Sequence, residues 1–146
     1  MSGYSDGAEK CGIRVLIAED NDDLRMAIKL LVDGESDLQC VADTAALADV
    51  GALAERYEAD VVILDVELQG KSSLRALEYL LARRPQARFL IHSGHAHPEL
   101  QRQALASGAS AYVLKSGNTE ELLQAIRAVM SDRRDAARDC ATRSTG

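Results

Sequence analysis

Five short runs of apolar and branched residues, separated by stretches with helical spacing, constrain this chain more than any other feature. The runs are Ile13 to Ala18, Leu38 to Ala42, Val61 to Leu64, Arg88 to His92 and Ala111 to Leu114. All are of strand length and composition. Between and after them, Leu24, Ile28 and Leu31 share a helical face, as do Leu74, Leu77 and Leu81, then Leu122, Ile126 and Val129. Ala45 to Tyr57 repeats the spacing with Leu47, Val50, Leu53 and Ala54, although Gly51 weakens it. Asn118 followed by Glu121 has the form of a capping box opening the last helix. Pro98 suits the first turn of the fourth helix, and Gly108 the left-handed residue that closes it. Strands apolar throughout are buried on both faces, and regular alternation with helices requires parallel strands joined by right-handed crossovers. The expected fold is therefore α/β, a parallel sheet with helices on both faces.

Ligands of such sheets bind outside the carboxyl ends of the strands. Charged and polar residues gather at that edge here: Glu19 and Asp20 end the first run, Asp65 the third, and Lys115 the fifth, with Ser93 just past the fourth. Three crowded carboxylates repel one another and tend to hold protons unless a cation compensates. Mg2+ suits the set, because oxygen ligands from one or two carboxylates, waters and a phosphate make its usual octahedral shell. Asp20 and Asp65 are the expected direct ligands, with Glu19 acting through water and the Glu67 carbonyl completing the protein's share. Lys115 supplies a compact positive charge and Ser93 a hydroxyl for one phosphoryl oxygen. A carboxylate nucleophile, a metal and a lysine suffice for phosphoryl transfer, with an aspartyl phosphate on Asp65 as product.

Composition narrows the alternatives. A chain of 146 residues, 47% hydrophobic, fits one compact domain. No apolar run is long enough to cross a bilayer and no signal peptide is evident, so a cytoplasmic protein without membrane contact is expected. Cys11, Cys40 and Cys140 lack the spacing of a zinc site or redox pair and read as free thiols. A net charge of -6, one Phe and no Trp argue against direct nucleic-acid binding. His92, His95 and His97 form a short tract, but with no cysteine nearby a zinc role is not expected.

Read in order, Ile17-Ala18-Glu19-Asp20-Asn21, Ile63-Leu64-Asp65-Val66, Ile91-His92-Ser93-Gly94 and Gly108-Ala109-Ser110-Ala111-Tyr112-Val113-Leu114-Lys115 resemble a response-regulator receiver domain of two-component signalling. The resemblance runs from about Ile13 to Met130. It divides the chain into an N-terminal extension (1–12), a receiver domain (13–130) and a polar, flexible C-terminal tail (131–146). It implies a flavodoxin-like, doubly wound five-stranded sheet of order 2-1-3-4-5. It also implies phosphorylation of Asp65 by a phosphohistidine on a histidine kinase or histidine phosphotransfer protein. The protein would be a phosphoacceptor rather than a turnover enzyme. In the family, the hydroxyl at the Ser93 position and the aromatic at the Tyr112 position switch on phosphorylation. That switch remodels the surface of the fourth helix, fifth strand and fifth helix for a downstream protein target, with homodimerisation a possible response. Residues at the Glu67 and His95 positions flank the phosphoryl group and are expected to set its lifetime.

Some positions depart from the family pattern. Gln69 stands where proline is usual and Ser73 where glycine often occurs, so the loop after Asp65 is expected to be shaped differently. Ser116 replaces the common proline after Lys115, which argues against a cis peptide there. The sixteen residues after Met130 are too few for a helix-turn-helix domain, leaving a stand-alone receiver or a piece of a longer protein. Tyr112 also reads as an ordinary strand aromatic, Ser93 as a strand-end polar residue, and Glu67 and His95 as exposed loop positions. A pseudo-receiver that binds a partner without phosphate is the alternative function, and a flavodoxin-like or phosphatase-like enzyme a more distant one.

Overall fold

The computed structural model describes residues 12–131. The expected 131–146 tail, apart from Ser131, most of the 1–12 extension, and Cys11 and Cys140 lie outside the described residues. Five parallel strands form the sheet: β1 (Ile13–Ala18), β2 (Leu38–Thr44), β3 (Val61–Asp65), β4 (Arg88–Ser93) and β5 (Ala111–Leu114). Their order is β2-β1-β3-β4-β5. The helices are α1 (Asp22–Asp33), α2 (Leu47–Arg56), α3 (Leu77–Arg83), α4 (Pro98–Ala106) and α5 (Thr119–Ser131). This is the helix-covered parallel sheet anticipated from the alternation of patterns, in the doubly wound, flavodoxin-like order that the resemblance implies.

Two apolar layers explain why the strands carry no polar face. On one side, Leu16, Val62, Leu64, Phe89 and Ile91 pack with Val50, Leu77 and Ala104, which come from α2, α3 and α4. On the other, Val15, Ile17, Val61, Ile63 and Leu90 pack with Ile28 and Val32 of α1 and with Leu122 and Ile126 of α5. Phe89 is fully buried, and truncating such a residue to alanine costs about 3–5 kcal/mol.

Several local signals operate as anticipated. Pro98 opens α4, Gly108 follows it at φ 112, and Asn118 Oδ1 accepts from the Glu121 N–H at 3.2 Å. The reciprocal half of that box is altered, because the Glu121 carboxylate accepts from the Ser116 hydroxyl at 3.1 Å instead. Strand β2 runs two residues past the expected Ala42. An irregularity in the ladder between Val15 and Leu16 is followed by pairing of Asp43 with Ile17 and Thr44 with Ala18. Pairing thus overrides two polar residues that look like a loop. Gly51 does not interrupt α2. It is buried where α2 meets α3, and a Cβ there would lie 3.1 Å from the Arg83 guanidinium and 3.4 Å from Leu80. The third helix begins as a 3-10 turn over Leu74–Ala76; Leu77 and Leu80 are its buried residues, and Leu74 and Leu81 pack partly buried against the same core.

Candidate functional site

Strand register builds the site. Ala18 lies opposite Leu64, Asp65 opposite His92, and Ser93 opposite Leu114. The strands therefore end nearly level, and Glu19, Asp65, Ser93 and Lys115 emerge along one edge. Glu19 is fastened by its N–H to the Thr44 carbonyl (3.0 Å), and Lys115 by its N–H to the Ser93 carbonyl (2.7 Å).

The Lys115 side chain crosses the end of β4. Its Nζ lies 3.0 Å from Asp65 Oδ2 and 3.0 Å from Glu19 Oε1. Only the Asp65 contact also has the alignment of a hydrogen bond. Glu19 is 2% exposed, and its Oε1 is a buried oxygen with no directed donor, while Oε2 accepts from the Asn21 N–H at 3.0 Å. Burial, with the Asp65 charge adding to it, holds the Glu19 carboxyl above its ordinary range. Burial alone would pull the Lys115 ammonium down, but its contacts with Glu19 and Asp65 outweigh that and leave it raised.

Glu19, Asp20 and Asp65 each present a carboxylate oxygen within 4.8 Å of the others. When ionised, three carboxylates facing one ammonium carry two uncompensated negative charges. The oxygen-only donor set, that residual charge and the orphaned Glu19 Oε1 fit a hard divalent cation. Asp20 is the exposed member of the trio and sits on the loop leading into α1.

Other anticipated residues are placed less directly. Ser93 is fully buried, and its Oγ accepts from the His95 N–H at 3.0 Å. The Tyr112 hydroxyl donates to the His95 carbonyl at 2.8 Å, with its ring partly buried against the α2–α4 layer. One backbone residue, His95, thus joins the two positions expected to switch, although its imidazole is exposed. Glu67 is exposed, and its N–H lies 3.4 Å from Asp65 Oδ1. The histidine tract does not converge: His92 is buried, while the His97 imidazole caps α4 by accepting from the Leu100 N–H at 3.3 Å. The Lys115–Ser116 peptide is trans.

Four residues escaped the sequence reading or were given no site role in it. Arg25 of α1 donates to the Glu19 carbonyl at 2.8 Å, to Asp22 at 2.7 Å and to Asp43 at 3.0 Å, clamping the acidic loop to α1 and β2. Gln69 donates its N–H to Asp20 Oδ2 at 2.8 Å. Ser73 is fully buried and donates its hydroxyl to the Asp65 carbonyl at 2.5 Å. His92, beside Asp65 in the ladder, is pushed down to about 4 by burial, with the Lys115 charge contributing. Only Ser73 and Gln69 carried a signal, as departures from a familiar pattern. Contacts made by a long side chain across 18 positions, or by a backbone N–H across 49, have no local signature.

Residues 15–127 match the model of the response regulator receiver domain. The transcriptional regulatory protein DesR of Bacillus subtilis is 33% identical over 84% of this chain and 60% of its own length. The response regulator GacA of Pseudomonas aeruginosa is 30% identical over 84% of this chain and 57% of its own. The chain thus spans little more than half the length of these relatives. Among solved structures, a two-component response regulator of the LuxR family from Aurantimonas superposes with a TM-score of 0.78 at 27% identity, covering 92% of this chain and 99% of that one. With the fold, the level strand ends and this match over most of its length, the chain belongs to the response-regulator receiver domains of two-component systems.

Proposed function

We propose that this chain accepts a phosphoryl group on Asp65 from the phosphohistidine of a partner histidine kinase or histidine phosphotransfer protein, with Mg2+ bound, and so switches a protein-binding surface. The observation that carries the reading is Lys115 Nζ, 3.0 Å from both Asp65 and Glu19 across the ends of separate strands. In the transfer, an Asp65 carboxylate oxygen attacks phosphorus, the phosphorus–nitrogen bond of the donor breaks, and the departing imidazole regains a proton from solvent. Asp20, Asp65 and the Glu67 carbonyl would hold the cation, with Glu19 acting through water. Bound there, Mg2+ supplies neutralisation of charge on the transferring oxygens. Lys115 orients the acceptor carboxylate and meets the new negative charge, and the Ser93 hydroxyl, which holds the His95 N–H at 3.0 Å, would leave that contact to donate to a phosphoryl oxygen.

The switch then has a defined route. Drawing Ser93 toward the phosphoryl group takes its oxygen from the His95 N–H, and the His95 carbonyl holds the Tyr112 hydroxyl. A phosphoryl group makes different contacts in the two arrangements, which is the condition for shifting their equilibrium. The output surface is the face of α4, β5 and α5, where a shallow groove is lined by Pro98, Tyr112, Leu114, Gln124, Ala125 and Val129. Its users would be a downstream protein or a second copy of the chain. We place the domain at residues 13–130 and the protein in the cytoplasm; among the described residues no helix is long and apolar enough to cross a membrane. The carboxylate cluster and the lysine that contacts it support this reading over a phosphate-independent module.

The test is incubation with acetyl phosphate and Mg2+ followed by intact mass. A phosphate-sized gain in the parent that is absent in Asp65→Asn supports the reading; no gain in the parent, or an equal gain in the variant, rejects it.

A further inference from the structure

The loop after Asp65 is a small β-hairpin. Glu67 pairs with Ser72 and Leu68 with Lys71, and Leu68 is fully buried beneath it. The turn residues Gln69 and Gly70 both have positive φ, 51 and 80. Two successive left-handed residues are what a two-residue primed turn demands, and glycine meets the demand freely while glutamine does not. The hairpin is anchored at its base, where Ser73 donates its hydroxyl to the Asp65 carbonyl at 2.5 Å and its N–H to the Val66 carbonyl at 2.9 Å. At its tip the Gln69 N–H donates to Asp20 Oδ2 at 2.8 Å.

We propose that Gln69 is a positioning residue of the cation site, acting through its main-chain N–H, which fixes the orientation of the Asp20 carboxylate. Asp20 is the exposed acid of the trio, the one burial does least to immobilise. A carboxylate oxygen that accepts one N–H keeps lone pairs for a cation, as does its companion oxygen. Holding one oxygen on a rigid turn fixes where the other points, so less orientation is lost when the cation binds. Proline, the residue usual here in the resemblance, has no N–H to give and cannot adopt φ 51. The strained turn is therefore the feature that lets this chain recruit a backbone donor from one loop for an acid on another. Gln69 and Ser73, the two departures from the usual pattern, act together: one fastens the hairpin to Asp65, the other carries it to Asp20.

This inference rests on the Mg2+ reading above, and the experiment separates the two. Mg2+ is titrated calorimetrically into the parent, Gln69→Gly and Gln69→Pro, with far-UV circular dichroism confirming the fold. Gln69→Gly keeps the amide and the turn; Gln69→Pro removes both. We expect the dissociation constant of the proline variant to be roughly tenfold weaker than that of the glycine variant, the usual scale for groups that orient a metal ligand. Equal constants, or tighter binding by the proline variant, overturn the role of Gln69 while leaving the metal site intact. No saturable Mg2+ binding by the parent removes both. If the proline variant does not fold, amide exchange on the parent decides: a Gln69 N–H protected with and without Mg2+ supports the role, and free exchange in either state overturns it.

Discussion

Asp60 and Asp65 bracket the same strand, are 4% and 6% exposed, and occupy opposite situations. At the amino end of β3, Asp60 accepts from the Arg14 N–H at 2.9 Å. Its own N–H and carbonyl are bonded to Arg14 and Arg88, each at 2.8 Å. It closes the lower edge of the sheet, where each strand hands its unpaired backbone groups to a neighbour. At the carboxyl end, Asp65 faces two further acids and shares one lysine with Glu19. A buried acid held by a backbone donor is an architectural part, while a buried acid among other acids stores unfavourable charge that its one lysine relieves only in part. Burial alone does not separate the two; the neighbours do.

The comparison breaks most sharply on phosphoryl uptake. Asp65→Asn should lose it entirely, whereas Asp60→Asn should retain the parent's rate within about twofold in the same acetyl phosphate assay. Loss in both would mean that the lower edge shapes the site.

Acid stability comes next. His92 has a folded pKa near 4 against an ordinary 6.5, so the unfolded chain takes up the proton first. Its contribution is complete above pH 6.5 and lost as pH falls toward 4, an effect of order 3 kcal/mol. Urea unfolding of the parent and His92→Phe should diverge over that window, the variant keeping more of its stability. Parallel curves would show that the imidazole accepts a proton without cost.

Smaller is the direct cost of the lower acid. Asp60→Ala leaves the Arg14 N–H without its carboxylate and should cost about 2 kcal/mol in chemical unfolding. Asp65→Asn should do the reverse and gain about 1 kcal/mol, because it removes one of three crowded charges. A loss on Asp65→Asn would mean that the lysine contact outweighs the repulsion. The smallest effect concerns Glu67 and His95, which we propose set the lifetime of the acyl phosphate. Glu67→Ala and His95→Ala should each change spontaneous dephosphorylation by a few-fold, about 1 kcal/mol in barrier, and unchanged rates in both reject the role.

The fold was legible because the strands are short and mostly apolar and four of the five helices carry apolar residues at helical spacing, patterns written locally. The acids and the lysine were legible for a related reason: register in a parallel sheet converts position at the end of a run into position at one edge. Where tertiary contact outranked local preference, the reading slipped. Asp43 and Thr44 look like loop but pair with β1, whereas the helix that Gly51 weakens still forms, with Gly51 seated against Arg83 and Leu80. The geometry of Gln69, Arg25 and His92 was hidden, since a backbone donor has no residue type and a clamp across the fold has no spacing. His95 drew attention for its imidazole, whereas its peptide group makes the contacts that link Ser93 to Tyr112.

That last arrangement has an evolutionary corollary. A connection made by an amide on one side and a carbonyl on the other is indifferent to the letter encoded at position 95, proline excepted for want of an N–H, so other replacements there leave the relay whole. Lengthening or shortening the segment by a single codon would shift which peptide meets the hydroxyls and uncouple them. Drift at this locus should therefore appear as exchanges of side chain and not as changes in loop length.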